Sequence, residues 1–135
     1  MLATLILDFD GVIVESIPLK TVAFRKIFSF APPEHLDEII AFHLENGGMS
    51  RYDKFRHIYT NILHEPLTQE QEERLADEYV GLIFDAMLTV PYVRGAEDLL
   101  GKCSRVLPLY IVSATPEAEM HEIARRRDLT KYFVR

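Results

Sequence analysis

The sequence predicts an α/β protein in which a sheet domain is interrupted by a helical insertion. Three observations carry this. Two short apolar runs, "LATLIL" at residues 2–7 and "VLPLYIV" at 106–112, have strand character, and small polar or acidic residues follow each. The long stretch between them carries helical periodicity. Proline breaks, Pro32-Pro33 and Pro91, divide that stretch and end it.

The elements follow in order. Leu2 to Phe9 is too short and too uniformly apolar for a surface helix, and predicts a fully buried strand. Asp10-Gly11 is a turn signal. Ser16 is placed to cap a helix that has Pro18 in its first turn and reaches about Phe28. In "EHLDEIIAFHLEN", apolar residues at 36, 39, 40 and 44 form a helical stripe, and Gly47-Gly48 ends it. Ser50 with Asp53 predicts a capped helix to about Leu63. Thr68 with Gln71 opens a long helix to about Leu88. After Pro91, "GAEDLLGKC" predicts a short helix and "RVLPLYIVSAT" a strand. In "PEAEMHEIARRRD", acids lead and arginines close, the order that suits a helix dipole. "KYFVR" has the character of a further strand. The apparent hinges lie near Val14–Ile17 and Thr89–Arg94.

Composition narrows the function classes. With 48% hydrophobic and 27% charged residues the chain is globular in character. Its net charge of −6 argues against electrostatic binding of nucleic acid. No apolar stretch is long enough to cross a membrane. The single cysteine, Cys103, and the lack of a basic residue before the first apolar run predict a cytoplasmic protein. The five histidines show no zinc-type spacing and suit solvent or packing roles.

Chemistry concentrates at the two strand ends, Asp8-Phe9-Asp10-Gly11 and Ser113-Ala114-Thr115. Ligands of open parallel sheets bind beyond the carboxyl ends of the strands, so these segments are candidates for one site. Each stretch alone is equally a turn or a helix cap. Taken together, with the insertion between them, they favour a site. In the insertion, Arg51 and Lys54 share a face in a first helical turn, where cations oppose the helix dipole. That suits anion binding; a solvated helix start compensated by Asp53 is the plainer alternative.

"DFDGVIVES" resembles the first motif of the haloacid-dehalogenase-like hydrolase superfamily, and "VSAT" resembles its second. The phosphoglycolate-phosphatase-like branch is the most similar. The resemblance implies an incomplete Rossmann-like parallel-sheet core, residues 1–15 and 90–135, with an inserted four-helix cap, residues 16–89. It implies a Mg²⁺-dependent phosphomonoester hydrolase acting on a small phosphorylated metabolite. Asp8 would be the nucleophile that carries an aspartyl-phosphate, and Asp10 the acid and base. Asp8 and the Asp10 carbonyl would hold the metal. Ser113, Ala114 and Gly11 would bind phosphate, and Arg51 and Lys54 would contact substrate from the cap. A sugar-phosphate mutase, or a non-catalytic fragment that binds phosphate or a partner, is the alternative.

Two further motifs of that superfamily, a lysine and an acidic pair that follow the serine motif, are absent from these 135 residues. Lys131 precedes the last apolar stretch instead of following it. The resemblance therefore implies a C-terminally truncated member that is inactive by itself. It also predicts self-association through an exposed edge of the first strand.

Overall fold

A computed structural model describes residues 4–134. The chain divides into two compact units. One joins the segment up to Ile17 with the segment from Ala86; the other is Pro18–Asp85.

The first unit is built on two short parallel strands, β1 (Leu5–Leu7) and β2 (Leu109–Ile111), with Leu5 opposite Leu109 and Leu7 opposite Ile111. Helix α5 (Ala96–Cys103) precedes β2 and helix α6 (Glu117–Arg126) follows it. Phe9, Ile13, Met87, Leu100, Leu109, Ile123 and Leu129 form this unit's core. Gly95, with φ of 85°, precedes α5 in the left-handed region that glycine adopts without strain. The segment Ile13–Glu15 runs antiparallel to Pro91–Val93. Glu15 N–H donates to the Pro91 carbonyl and Val93 N–H to that of Ile13, each at 2.9 Å. Arg127 Nη1 donates to the Met87 carbonyl at 2.9 Å while its guanidinium lies over the Tyr92 ring.

The expected fully buried first strand is corrected in two respects. It is shorter, Leu5–Leu7, and Ile6 is 61% exposed; residues 2 and 3 lie outside the described residues. Tyr110 and Val112 of the second strand region are exposed as well. Side chains alternate between faces along a strand, and the described residues cover one face. The "KYFVR" stretch forms no strand through Val134, but Val134 N–H already donates to the Leu109 carbonyl at 2.9 Å.

The second unit is helical. Helix α1 (Ile17–Ile27) enters it, followed by α2 (Pro33–Glu45) and α3 (Arg51–His57), and α4 (Gln69–Met87) leaves it. Ser50 caps α3, its Oγ accepting from Asp53 N–H at 3.1 Å. Thr68 and Gln71 form a reciprocal capping box at the start of α4. From Ile58 to Leu63 the helix begun by α3 widens to a π-helical segment, which His64 ends in a left-handed conformation with φ of 55°. Phe24, Phe28, Phe55, Ile39, Ile58, Tyr79 and Ile83 form the core. On α2 the buried stripe runs through Ile39, Ile40 and His43, while Leu44 is exposed. A stripe continued three residues from Ile40 falls on 43, not 44, so the histidine takes the inward position.

Candidate active site

β1 ends at Leu7, so Asp8 and Asp10 stand just beyond its carboxyl end. Asp8 is exposed, and Phe9 N–H donates to its Oδ1 at 2.6 Å. The chain then winds into a tight loop. The Phe9 carbonyl accepts from the amides of Val12, Ile13 and Val14, and Gly11 N–H donates back to the Val14 carbonyl at 2.8 Å. Gly11 has a φ of 74°, and a Cβ there would sit 2.5 Å from Ile17 Cδ1. The positive φ is what favours glycine, since the half-exposed Ile17 tip could turn aside from a Cβ. Ser16 is fully buried, and its hydroxyl donates to Asp10 Oδ1. The expected helix-capping serine thus bonds a site carboxylate. Ser16 is a site residue that sequence reasoning missed; its place just before α1 gave only the capping signal.

On the neighbouring strand, Ser113 Oγ accepts from Thr115 N–H at 3.1 Å. This closes the turn that leads through Ala114 to Pro116, the residue before α6. Val112 N–H donates to the Leu7 carbonyl at 2.9 Å, so the two strands end together. Adjacent strands lie about 4.8 Å apart. The parallel register therefore brings Asp8, Asp10, Gly11, Ser113 and Ala114 to one end of one sheet. Lys131 is engaged elsewhere, paired with Asp128 at 2.6 Å.

Arg51 and Lys54 belong to the helical unit, on α3, and both are buried, 6% and 4% exposed. That differs from a solvated helix start. The Arg51 guanidinium lies 4.8 Å from the Tyr79 ring centre, and the Lys54 ammonium 5.4 Å from that of Phe24. Lys54 Nζ is 3.1 Å from His43 Nδ1 and donates to the His43 carbonyl at 3.2 Å. Burial, then the charges of Lys54 and Lys20, push the His43 imidazole down to about pKa 4.

This depression has a consequence for stability. An unfolded histidine takes up its proton near pH 6.5, the folded one near 4. Between these values the unfolded state binds more protons, so stability falls as the pH drops. The full contribution is present above pH 6.5 and is lost on descending to 4, a difference of roughly 2–3 kcal/mol. Urea unfolding at pH 7 and pH 4.5 measures it. His43→Asn, which cannot titrate, is expected to lose clearly less stability over that interval than the wild type. An equal loss in both would contradict a buried neutral His43.

The resemblance implies Mg²⁺, and the donor set is compatible with it. Two aspartates at one strand end suit an ion that takes one or two carboxylates and completes its shell with water and phosphate oxygens. Among the described residues, no three His, Cys, Asp or Glu side chains are grouped as a metal site of their own.

No protein-family model and no curated protein matches the sequence. Solved structures do match it. An HAD hydrolase of family IA, variant 3, from Entamoeba histolytica superimposes with a TM-score of 0.70 at 14% identity, over 98% of this chain and 58% of its own. A mutant of CbbY from Rhodobacter sphaeroides, in complex with xylulose-(1,5)bisphosphate, gives 0.69 at 14% identity, over 98% and 61%. The chain has the HAD-hydrolase fold. A candidate HAD-hydrolase of Bacillus subtilis, YfnB, bound to magnesium, gives 0.64 at 19% identity, over 97% and 62%. The chain thus spans about three fifths of the length of these HAD structures. Among the described residues the sheet has two parallel strands, consistent with an incomplete Rossmann-like core. Among the described residues no helix is long and apolar enough to cross a membrane.

Proposed function

We propose that this chain carries the nucleophile and cap portions of an HAD-type phosphomonoester hydrolase that acts on a small phosphorylated metabolite. The observation that supports it is the parallel register of β1 and β2, which leaves the two aspartates and the Ser113 turn at the same sheet end. In this reading the unit containing the sheet is the hydrolase core and Pro18–Asp85 is the cap.

The Asp8 carboxylate attacks phosphorus and forms an aspartyl-phosphate. Asp10 gives its proton to the departing alkoxide, then takes one from the water that attacks the intermediate and releases phosphate. The Ser16 hydroxyl fixes the rotation of the Asp10 carboxylate for both transfers. Ser113, with the amide of Ala114, holds the phosphate oxygens; the Gly11 amide, expected to join them, is already given to the Val14 carbonyl. The N-terminus of α6 adds partial positive charge. Asp8 and the Asp10 carbonyl would hold Mg²⁺, which supplies charge to offset the repulsion between carboxylate and phosphate. Arg51 and Lys54 select substrates with a second anionic group.

Phosphate release from a phosphomonoester with Mg²⁺, by the longest natural chain that contains these residues, tests the reading. Transfer of phosphate within a sugar phosphate, without release, would make it a mutase instead. Binding without either reaction would leave a non-catalytic phosphate-binding protein. Residues 1–135 alone are expected to turn over negligibly, because their described part offers Mg²⁺ no further acidic cluster and Lys131 is paired with Asp128. They are also expected to self-associate through the outer edge of β1 and the exposed Ile6, Tyr110 and Val112. Assay and light scattering on that span check both. A monomer with robust Mg²⁺-dependent turnover would contradict them.

A further inference from the structure

Arg127 closes α6. Its own N–H donates to the Ile123 carbonyl at 2.9 Å, and Leu129 just beyond it is fully buried, so its backbone is anchored. Its side chain reaches away from α6 to another segment. Nη1 donates to the Met87 carbonyl at 2.9 Å, and the guanidinium carbon lies 4.7 Å from the centre of the Tyr92 ring. Met87 is the last residue of α4, where a cation suits the helix dipole. One side chain thus holds both ends of the turn 87–92. Tyr92 is bridged to Val14, and Val14 to Asp10. The amides of Glu15, Val93 and Gly11 close this ladder on the carbonyls of Pro91, Ile13 and Val14, at 2.8–2.9 Å. Ser16, whose hydroxyl bonds Asp10, stands at the end of the same loop.

We propose that Arg127 is a positioning residue for the Asp10 loop: it clamps the turn 87–92, and the clamped turn holds residues 10–16 through the Tyr92–Val14 bridge. Glu15 and Pro91 are exposed, and so short a ladder at a surface opens locally at little cost unless its side chains are held. Arginine suits the task, since its planar group lies over a ring and donates at its edge at the same time. Loosening the turn would leave Asp8 beside the strand end and let Asp10 drift from the leaving oxygen. The consequence for catalysis rests on the reading of Asp10 as the acid; the hold on the loop does not.

The test compares the wild type with Arg127→Met, which keeps an apolar stem and loses the donors, in the longest natural chain. Amide hydrogen exchange is expected to quicken about tenfold or more at Gly11, Glu15 and Val93, and less than about threefold at Val112, whose N–H lies in the sheet of the same unit. Tyr92→Leu, which removes the ring and keeps the arginine, should loosen the same amides, and it carries the test if Arg127→Met does not fold. Tyr92→Phe, which keeps a ring face, should exchange as the wild type does. In kinetics, kcat/KM covers the steps up to transfer onto Asp8. In Arg127→Met it should fall about tenfold or more for ethyl phosphate, whose alkoxide needs a proton from Asp10. It should fall less than about threefold for p-nitrophenyl phosphate, whose phenolate leaves without one. Unchanged exchange at the three loop amides, an equal rise at Val112, or an unchanged ratio of the two rates overturns the proposal. If the exchange pattern holds while the wild type hydrolyses neither ester, the phosphatase reading fails and the role of Arg127 in the loop stands.

Discussion

Asp8→Asn is expected to reduce phosphomonoester turnover to background, a loss of about 10⁴-fold or more. The amide is a poor nucleophile, and no aspartyl-phosphate can form on it. The substitution preserves size and the local bond, because an amide oxygen also accepts from Phe9 N–H. Folding should therefore be unchanged, and circular dichroism with a melting curve establishes that. Asp10→Asn should cost less, on the order of 10²–10⁴-fold, since it removes proton transfer and leaves the nucleophile. The Ser16 hydroxyl can still donate to the amide oxygen, so the loop should hold. Steady-state rates for both variants give the ordering. Equal losses would mean that Asp10 does more than move protons.

Phe24→Ala is expected to destabilise the protein by about 3–5 kcal/mol. Phe24 is 1% exposed, and its ring meets Phe28, Phe55, Tyr79 and His43 at centroid distances of 4.1–5.9 Å. Truncation removes the shared partner of four rings, one each on α2, α3 and α4 and one just after α1, and a space surrounded by rings cannot collapse easily. A domain holds only about 5–15 kcal/mol in total, so the helical unit should be largely unfolded at moderate urea. Lys54 would also lose the ring beneath its ammonium. A denaturation curve shifted by less than about 1 kcal/mol would mean that the aromatic cluster does not anchor this unit.

The element order was legible because its signals are local. Thr68 with Gln71 and Ser50 with Asp53 define helix starts through bonds made within four residues. Asp10-Gly11 announces a turn because few other residues adopt the positive φ found at Gly11. The π-helical segment at Ile58–Leu63 left no such mark; its residues suit an ordinary helix equally well. Exposure along β1 was misjudged because an apolar run says that a strand can be buried, not which neighbours cover it.

The candidate site divides in the same way. The aspartates and the serine turn were visible as polar residues following apolar strands. The parallel register that brings them together depends on pairing across about a hundred residues, which no local pattern encodes. Ser16 was visible as a helix cap, but the Asp10 bond is tertiary. Arg51 and Lys54 stood out by type, while their burial follows from rings on other helices. His43 was passed over because Leu44 beside it is the more apolar residue. The stripe through Ile39 and Ile40 was the signal that pointed to 43.

The most direct measurement traps the covalent intermediate. The longest natural chain containing these residues is mixed with Mg²⁺ and a small phosphomonoester, quenched in acid within a turnover, digested and mapped by mass spectrometry. A phosphoryl group on the peptide that carries Asp8, absent after Asp8→Asn, is the expected result. Turnover that continues in Asp8→Asn, or a phosphoryl group on any other residue, would contradict Asp8 as the nucleophile.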